Sequence, residues 1–217
     1  MTMMPADLYL NQIDPCRYWP ANTTIRCKDF LGQLMTGTLS TKEYPFLTSN
    51  QLQAFKTVLE AEKYLPPIPQ LTIPQPVEAG LFPINEPDQN SLVIVSGNNR
   101  YTFELLASIW AQGITPAYFL LVDCLGNTVD MAVLYGDFSS GRLLQILKET
   151  GLEEKVAHRH MIVPGYTRSL ALDFAKVTGW EIEVGPVCAV ELPLYLGDRW
   201  LFPIYNNRAS CKKGLRC

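Results

Sequence analysis

Leu92-Val93-Ile94-Val95 is an apolar, β-branched run that stops at Gly97, and beyond it Phe103, Leu106, Ile109 and Trp110 recur three or four residues apart. That change of period predicts a strand, a turn and a helix. Tyr118 to Val122 predicts a second strand. Val129 to Leu134, after the turn signal Gly126-Asn127, predicts a third that pairs with the second as a hairpin. Leu143, Leu144, Ile146 and Leu147 predict a helix capped near Ser139 or Ser140. Met161 to Val163 reads as a further strand. The segment from Thr167 to Thr178 carries Leu170, Phe174 and Val177 on one helical face and stops at Gly179, after which Ile182 to Val184 returns as a strand.

Strands alternating with helices predict an α/β fold, a Rossmann-like, mainly parallel sheet with helices on both faces. Ahead of it, the prolines from Pro66 to Pro87 remove backbone donors and disfavour helix. The chain is therefore expected to divide into a small, mainly helical module over 1–64, an extended proline-rich linker over 65–90, the α/β domain over 91–200 and a basic, cysteine-containing tail over 201–217. Ligands of such sheets sit outside the carboxyl ends of the strands. That rule gathers Ser96 to Arg100, Tyr135 to Ser140, Pro164 to Thr167 and Gly185 to Cys188 at one edge.

Composition narrows the chemistry. With 47% hydrophobic residues among 217, the chain can bury a substantial core. A net charge of -3 and the absence of a long basic run argue against nucleic acid as a partner. No stretch reaches the roughly 18 apolar residues of a membrane span, and the N-terminus lacks a leader pattern, so a cytoplasmic location is expected. Cys16, Cys27, Cys124, Cys188, Cys211 and Cys217 are too sparse for a secreted disulfide scaffold, which leaves thiols or metal ligands. No P-loop, GxGxxG or nucleophile motif is present.

Four blocks carry a family resemblance. They are Ser96-Gly97-Asn98; Thr128 to Ser140; His158-Arg159-His160-Met161-Ile162-Val163-Pro164; and Gly185-Pro186-Val187-Cys188-Ala189 with Leu192-Pro193. Together they resemble the cobalamin-binding domain of the corrinoid iron-sulfur proteins of acetyl-CoA synthesis, and are similar to the mercury-methylating corrinoid protein. The resemblance implies cobalamin (a corrinoid) as cofactor, held at Gly97, Asn98 and Met131, at Gly136, Phe138, Ser139 and Ser140, and at Pro164, Gly165, Gly185 and Pro186. Met131 stands where the family has a cysteine, Asp130 where it has tryptophan and Tyr135 where it has lysine; the third block's insertion is cut to Gly165-Tyr166-Thr167. Met131 reads either as a thioether ligand or as core packing. Asp137, Ser139 and Ser140 read as contacts to corrinoid amides or as a helix cap. Alternation places His158 and His160 on one strand face, where a metal pair would need further ligands.

The N-terminal module resembles the family's 4Fe-4S domain through Cys16, Cys27, Phe30, Gly37 and Tyr44-Pro45-Phe46-Leu47, with Trp19 and Tyr44 at two of its four cysteine positions. A cubane needs four thiolates. Cys211 and Cys217, beside Lys212, Lys213 and Arg216, would bring Cys16 and Cys27 to that number. The implied role is a methyl-group carrier or accessory of anaerobic one-carbon metabolism that works with a methyltransferase or a partner corrinoid/iron-sulfur subunit. The competing expectation is a non-enzymatic interaction or assembly protein that kept the fold and lost its cofactors.

Overall fold

Successive side chains of a strand point to opposite faces of a sheet, and the computed structural model, which describes residues 13–67 and 73–203, builds an apolar core on each face. The strands are β1 (Gly80–Ile84), β2 (Leu92–Gly97), β3 (Ala117–Val122), β4 (His160–Val163) and β5 (Glu181–Val184), in the spatial order β1-β3-β2-β4-β5. β2 to β5 run parallel. β1 is antiparallel to β3, with Phe82 opposite Phe119. The fold is thus α/β around a five-stranded, mostly parallel sheet.

Ile94, Phe119 and Ile162 face one core, where α1 (Cys27–Thr36), α2 (Ser49–Leu59), α3 (Arg100–Trp110) and, C-terminal to β5, α8 (Leu192–Leu196) pack. Val95, Leu120 and Met161 face the other, covered by α4 (Val129–Tyr135), α5 (Ser140–Thr150) and α7 (Ala171–Thr178), with the short α6 (Leu152–Lys155) following α5. Phe30 and Phe55 of the N-terminal helices belong to the same buried cluster as Trp110 and Trp200. Burial of these side chains, at about 1.5–3 kcal/mol for each large apolar group, holds the N-terminal module on the sheet.

Two expectations are corrected. Val129 to Leu134 is not a strand but lies in helix α4, so the predicted hairpin with Tyr118 to Val122 does not form. Val129 and Ala132 are buried one turn apart, and Gly136 closes the helix at φ 77°, where a residue with a side chain would be strained. The antiparallel neighbour of β3 is instead β1, inside the proline-rich stretch. Pro83 is tolerated there because β1 is an edge strand.

The segment before β1 lies across the strand ends as a strap. Gln75 N donates to Gly126 O (3.0 Å), Val77 N to Asn98 O (2.8 Å) and Arg100 N to Gln75 O (2.8 Å). A Cβ on Gly126 would collide with the backbone of Pro76, so only glycine permits this approach. In the N-terminal module Cys16 and Cys27 form a disulfide with Cα atoms 5.6 Å apart. Trp19, between them in sequence, packs on Phe30 (4.7 Å between ring centroids) and Phe46 (5.6 Å). Among the described residues no helix is long and apolar enough to cross a membrane.

Candidate functional site

The carboxyl ends of β2 and β4 open into a cleft of about 210 Å³. Its floor is Ile94 and Ile162, and its walls include Leu105, Leu106 and Leu192. Pro164 and Pro186 stand on its lining, with Tyr166 and Val187 there and still 46% and 47% exposed. The polar groups facing it are few: Ser96, Thr102, Thr128, Asp130 and Cys188 among them. Ser96, on the lining, is 5% exposed.

Backbone contacts fix the proline-bearing turns. Gly165 N donates to Pro186 O (2.8 Å), and a Cβ on Gly165 would lie 2.6 Å from Val187 N. Thr167, fully buried, turns its Oγ1 back to Pro164 O (2.8 Å). These bonds set Pro164 and Pro186 side by side without any side chain between them.

The other residues expected at the site are spread more widely. Gly97 ends β2, where a Cβ would touch Cys124 Sγ at 3.4 Å. Asn98, 3% exposed, spends its side chain on the fold: its Oδ1 accepts from Cys124 N (2.8 Å) and Gly126 N (3.2 Å), and its Nδ2 donates to Val77 O (3.1 Å) and Asp123 Oδ1 (3.2 Å). Met131 is half-buried on α4 and is not part of the cleft lining, whereas Asp130 is. Gly136 is the exposed C-cap of α4 and Phe138 is buried against Phe174. Ser139 caps α5, accepting from Arg142 N (3.4 Å), and Ser140 begins that helix. Gly185 packs behind the cleft against Ile162. Pro164 and Pro186 are therefore the pair brought into the lining. Ser96 and Cys188 reach it as well, and for Ser96 the signal was a hydroxyl ending an apolar run on the same face as Ile94.

The cysteines divide. Cys16 and Cys27, expected as metal ligands, are joined to each other, and a disulfide sulfur is no thiolate. Cys211 and Cys217 lie outside the described residues. Cys124 is buried in the second core and burial pushes its thiol up to about 12, while burial pushes the Cys188 thiol up to about 11. Both stay protonated near neutral pH. Among the described residues no three His, Cys, Asp or Glu side chains gather to hold a metal, so these residues do not fit a 4Fe-4S cluster. His160 Nε2 instead lies 3.0 Å from Glu183 Oε2, and His158 Nε2 lies 3.0 Å from Ser91 O.

A corrinoid meets a different test. The cleft is smaller than the roughly 300–1,000 Å³ pockets that take drug-sized ligands, so a macrocycle cannot enter it. Tyr166 and Val187 on the lining leave exposed apolar surface at the cleft. The cleft has room for a side arm of such a ring only, beside Ser96 and Thr128.

The model for the family "CO dehydrogenase/acetyl-CoA synthase delta subunit" matches residues 57–196. A protein described as "Acetyl-CoA decarbonylase/synthase complex subunit gamma" from Methanopyrus kandleri is 34% identical over 131 residues, which cover 60% of this chain and 28% of that protein. Its counterpart in Methanocaldococcus jannaschii is 33% identical over 127 residues, covering 58% of this chain and 26% of the relative. The "Corrinoid/iron-sulfur protein large subunit" of Moorella thermoacetica is 32% identical over 114 residues, covering 52% and 26%. The matched part is thus about a quarter of each relative's length.

Proposed function

Because the chain belongs to the CO dehydrogenase/acetyl-CoA synthase delta subunit family, we propose that it binds a corrinoid at the carboxyl edge of its sheet and serves as a methyl-group carrier or accessory in anaerobic one-carbon metabolism. The observation that carries this reading is the apolar cleft at the carboxyl ends of β2 and β4, with Ser96 and Thr128 on its lining and Tyr166 and Val187 exposed beside them. When bound, a corrinoid supplies methyl transfer at cobalt. Pro164, Tyr166 and Pro186 would hold the mouth side of such a ligand, and Ser96 and Thr128 would bond an arm inside the cleft. Asp130 is the acidic group on the lining and is exposed, so the interior selects a neutral arm. A partner corrinoid/iron-sulfur subunit or a methyltransferase would meet the open face, as expected of a chain whose relatives are named as subunits of a complex.

The test is anaerobic incubation with cobalamin, desalting and an absorption spectrum. Stoichiometric retention that falls at least tenfold in Ser96→Val supports the reading, and absence of retention in the parent chain overturns it. The second reading is an interaction or assembly protein that kept the fold. It is favoured by the disulfide at Cys16 and Cys27 and by Met131 lying off the cleft lining, and it expects no corrinoid retention while a partner protein still binds.

A further inference from the structure

The wall of the cleft that carries Cys188, Ala189 and Leu192 is backed by a turn from the other end of the chain. The Pro15–Tyr18 turn begins at the disulfide, with Asp14 Oδ1 capping Cys16 N (3.1 Å), and it packs against α8. Between the turn and the cleft lies Glu191, 2% exposed, whose Oε1 has no hydrogen-bond partner. Arg17 and Tyr18 of the turn, and Asp14 just before it, lie near enough to that carboxyl group to act on it electrostatically. Glu191 N in turn donates to Cys188 O (3.0 Å), and Cys188 lines the cleft. The turn that starts at the Cys16–Cys27 bond thus packs on α8, beside Glu191, and Glu191 in turn is bonded to Cys188 of the cleft wall.

Besides the disulfide, the turn is held by Tyr18 and by the neighbouring Trp19, which pack on the core. Trp19 Nε1 donates to Ile25 O (3.0 Å) within the same loop, and the disulfide ties the loop's start to the first residue of α1, where Cys27 is buried. Arg17 is exposed and makes no ion pair within 4.0 Å among the described residues. Cutting the covalent tie leaves only the packing of Ile13, Tyr18 and Trp19 to anchor the turn. A buried carboxyl group with one orphaned oxygen then becomes reachable by water, and solvation of that oxygen favours the loosened state.

We propose that the Cys16–Cys27 bond is a redox latch on the cleft: formed, it holds the Pro15–Tyr18 turn on Glu191 and keeps the wall around Cys188 closed; reduced, it lets that wall loosen. The reductant is a dithiol. One of its thiolates attacks a sulfur of the pair, forming a mixed disulfide and releasing one protein thiolate; its second thiolate then displaces the other cysteine. The dithiol leaves oxidised by two electrons, and Cys16 and Cys27 each end with a proton. The latch follows from the geometry around the cleft and holds whatever ligand the cleft takes, so it stands apart from the corrinoid reading.

The test measures alkylation of Cys188 in the full-length chain, followed by peptide mass mapping, before and after reduction and desalting under anaerobic conditions. The expected result is a rise of at least tenfold in the Cys188 rate on reduction. Cys124, buried in the other core, serves as the internal reference and keeps its rate. Arg17→Ala with the disulfide intact is expected to raise the Cys188 rate several-fold through the same seat, which guards against misfolding of a Cys16→Ser/Cys27→Ser variant. An unchanged Cys188 rate, labelling of Cys16 and Cys27 before reduction, or an equal rise at Cys124 would each overturn the proposal. Cobalamin retention measured on the same samples reports the ligand reading separately.

Discussion

Asn98→Ala is the sharpest probe of how the strand-end loops are built. The parent side chain is 3% exposed and makes four hydrogen bonds, accepting from the backbone of Cys124 and Gly126 and donating to Val77 O and Asp123 Oδ1. Alanine removes all four and leaves the two backbone donors without this acceptor in a buried site. An abandoned buried donor costs about 1–3 kcal/mol, so the pair costs about 2–6 kcal/mol. A domain of this size has a total stability of about 5–15 kcal/mol, so the variant still folds but is clearly weakened. Urea unfolding followed by circular dichroism would show the midpoint falling, and thermal unfolding would show a loss of roughly 10 °C. Asn127→Ala is the comparison: its half-buried Nδ2 makes one bond, to Asp137 Oδ2 at 3.1 Å, and should cost about 1 kcal/mol or less. If Asn98→Ala lost less than about 1 kcal/mol, the strap and the loop after β3 would not depend on this side chain, and the reasoning would fail.

Two further outcomes are expected. Gly165→Ala places a Cβ 2.6 Å from Val187 N and 2.7 Å from the Pro186 carbonyl carbon, so backbone must move; overpacking of this kind costs about 1–3 kcal/mol, seen in urea unfolding together with loss of cobalamin retention. Arg199→Gln tests the β5 ion pair, in which Arg199 Nη1 and Nη2 donate to Glu183 Oε2 and Oε1 at 2.8 and 2.6 Å and hold the Glu183 carboxyl below its usual value of 4.5. A lowered folded pKa stabilises above the unfolded value, so the difference between parent and variant should be full above pH 4.5 and shrink as the pH falls through the lower folded value. With the Arg199 side chain 41% exposed, screening limits the difference to about 1 kcal/mol; a difference that grew toward acid would contradict the assignment.

Long periodic segments were legible in the chain. The pattern of Phe103, Leu106, Ile109 and Trp110 anticipated α3, and Gly179 marked the end of α7. The strand-end rule also placed Pro164 and Pro186 at one edge. Val129 to Leu134 misled because a short apolar run with β-branched residues has the same composition in a strand and in a buried helix turn. Only the fall of Val129 and Ala132 on one face distinguishes them. β1 was hidden by its prolines, which are compatible with an edge strand but not with a central one. Asn98 looked like a ligand contact because a polar residue at a strand end serves equally as a loop staple, and which role it takes depends on Cys124 and Gly126, 26 and 28 residues away. The disulfide partners were visible as cysteines, but their pairing depends on the fold of the loop around Trp19.

The core shared by Phe30, Phe55, Trp110 and Trp200 has a calorimetric consequence. The N-terminal helices and the sheet should melt in a single heat-absorption peak, with the enthalpy of one cooperative unit. Separating the chain at the prolines after residue 64 would cut through apolar surface instead of between two finished modules. Each fragment would carry part of an aromatic interior into water and tend to self-associate.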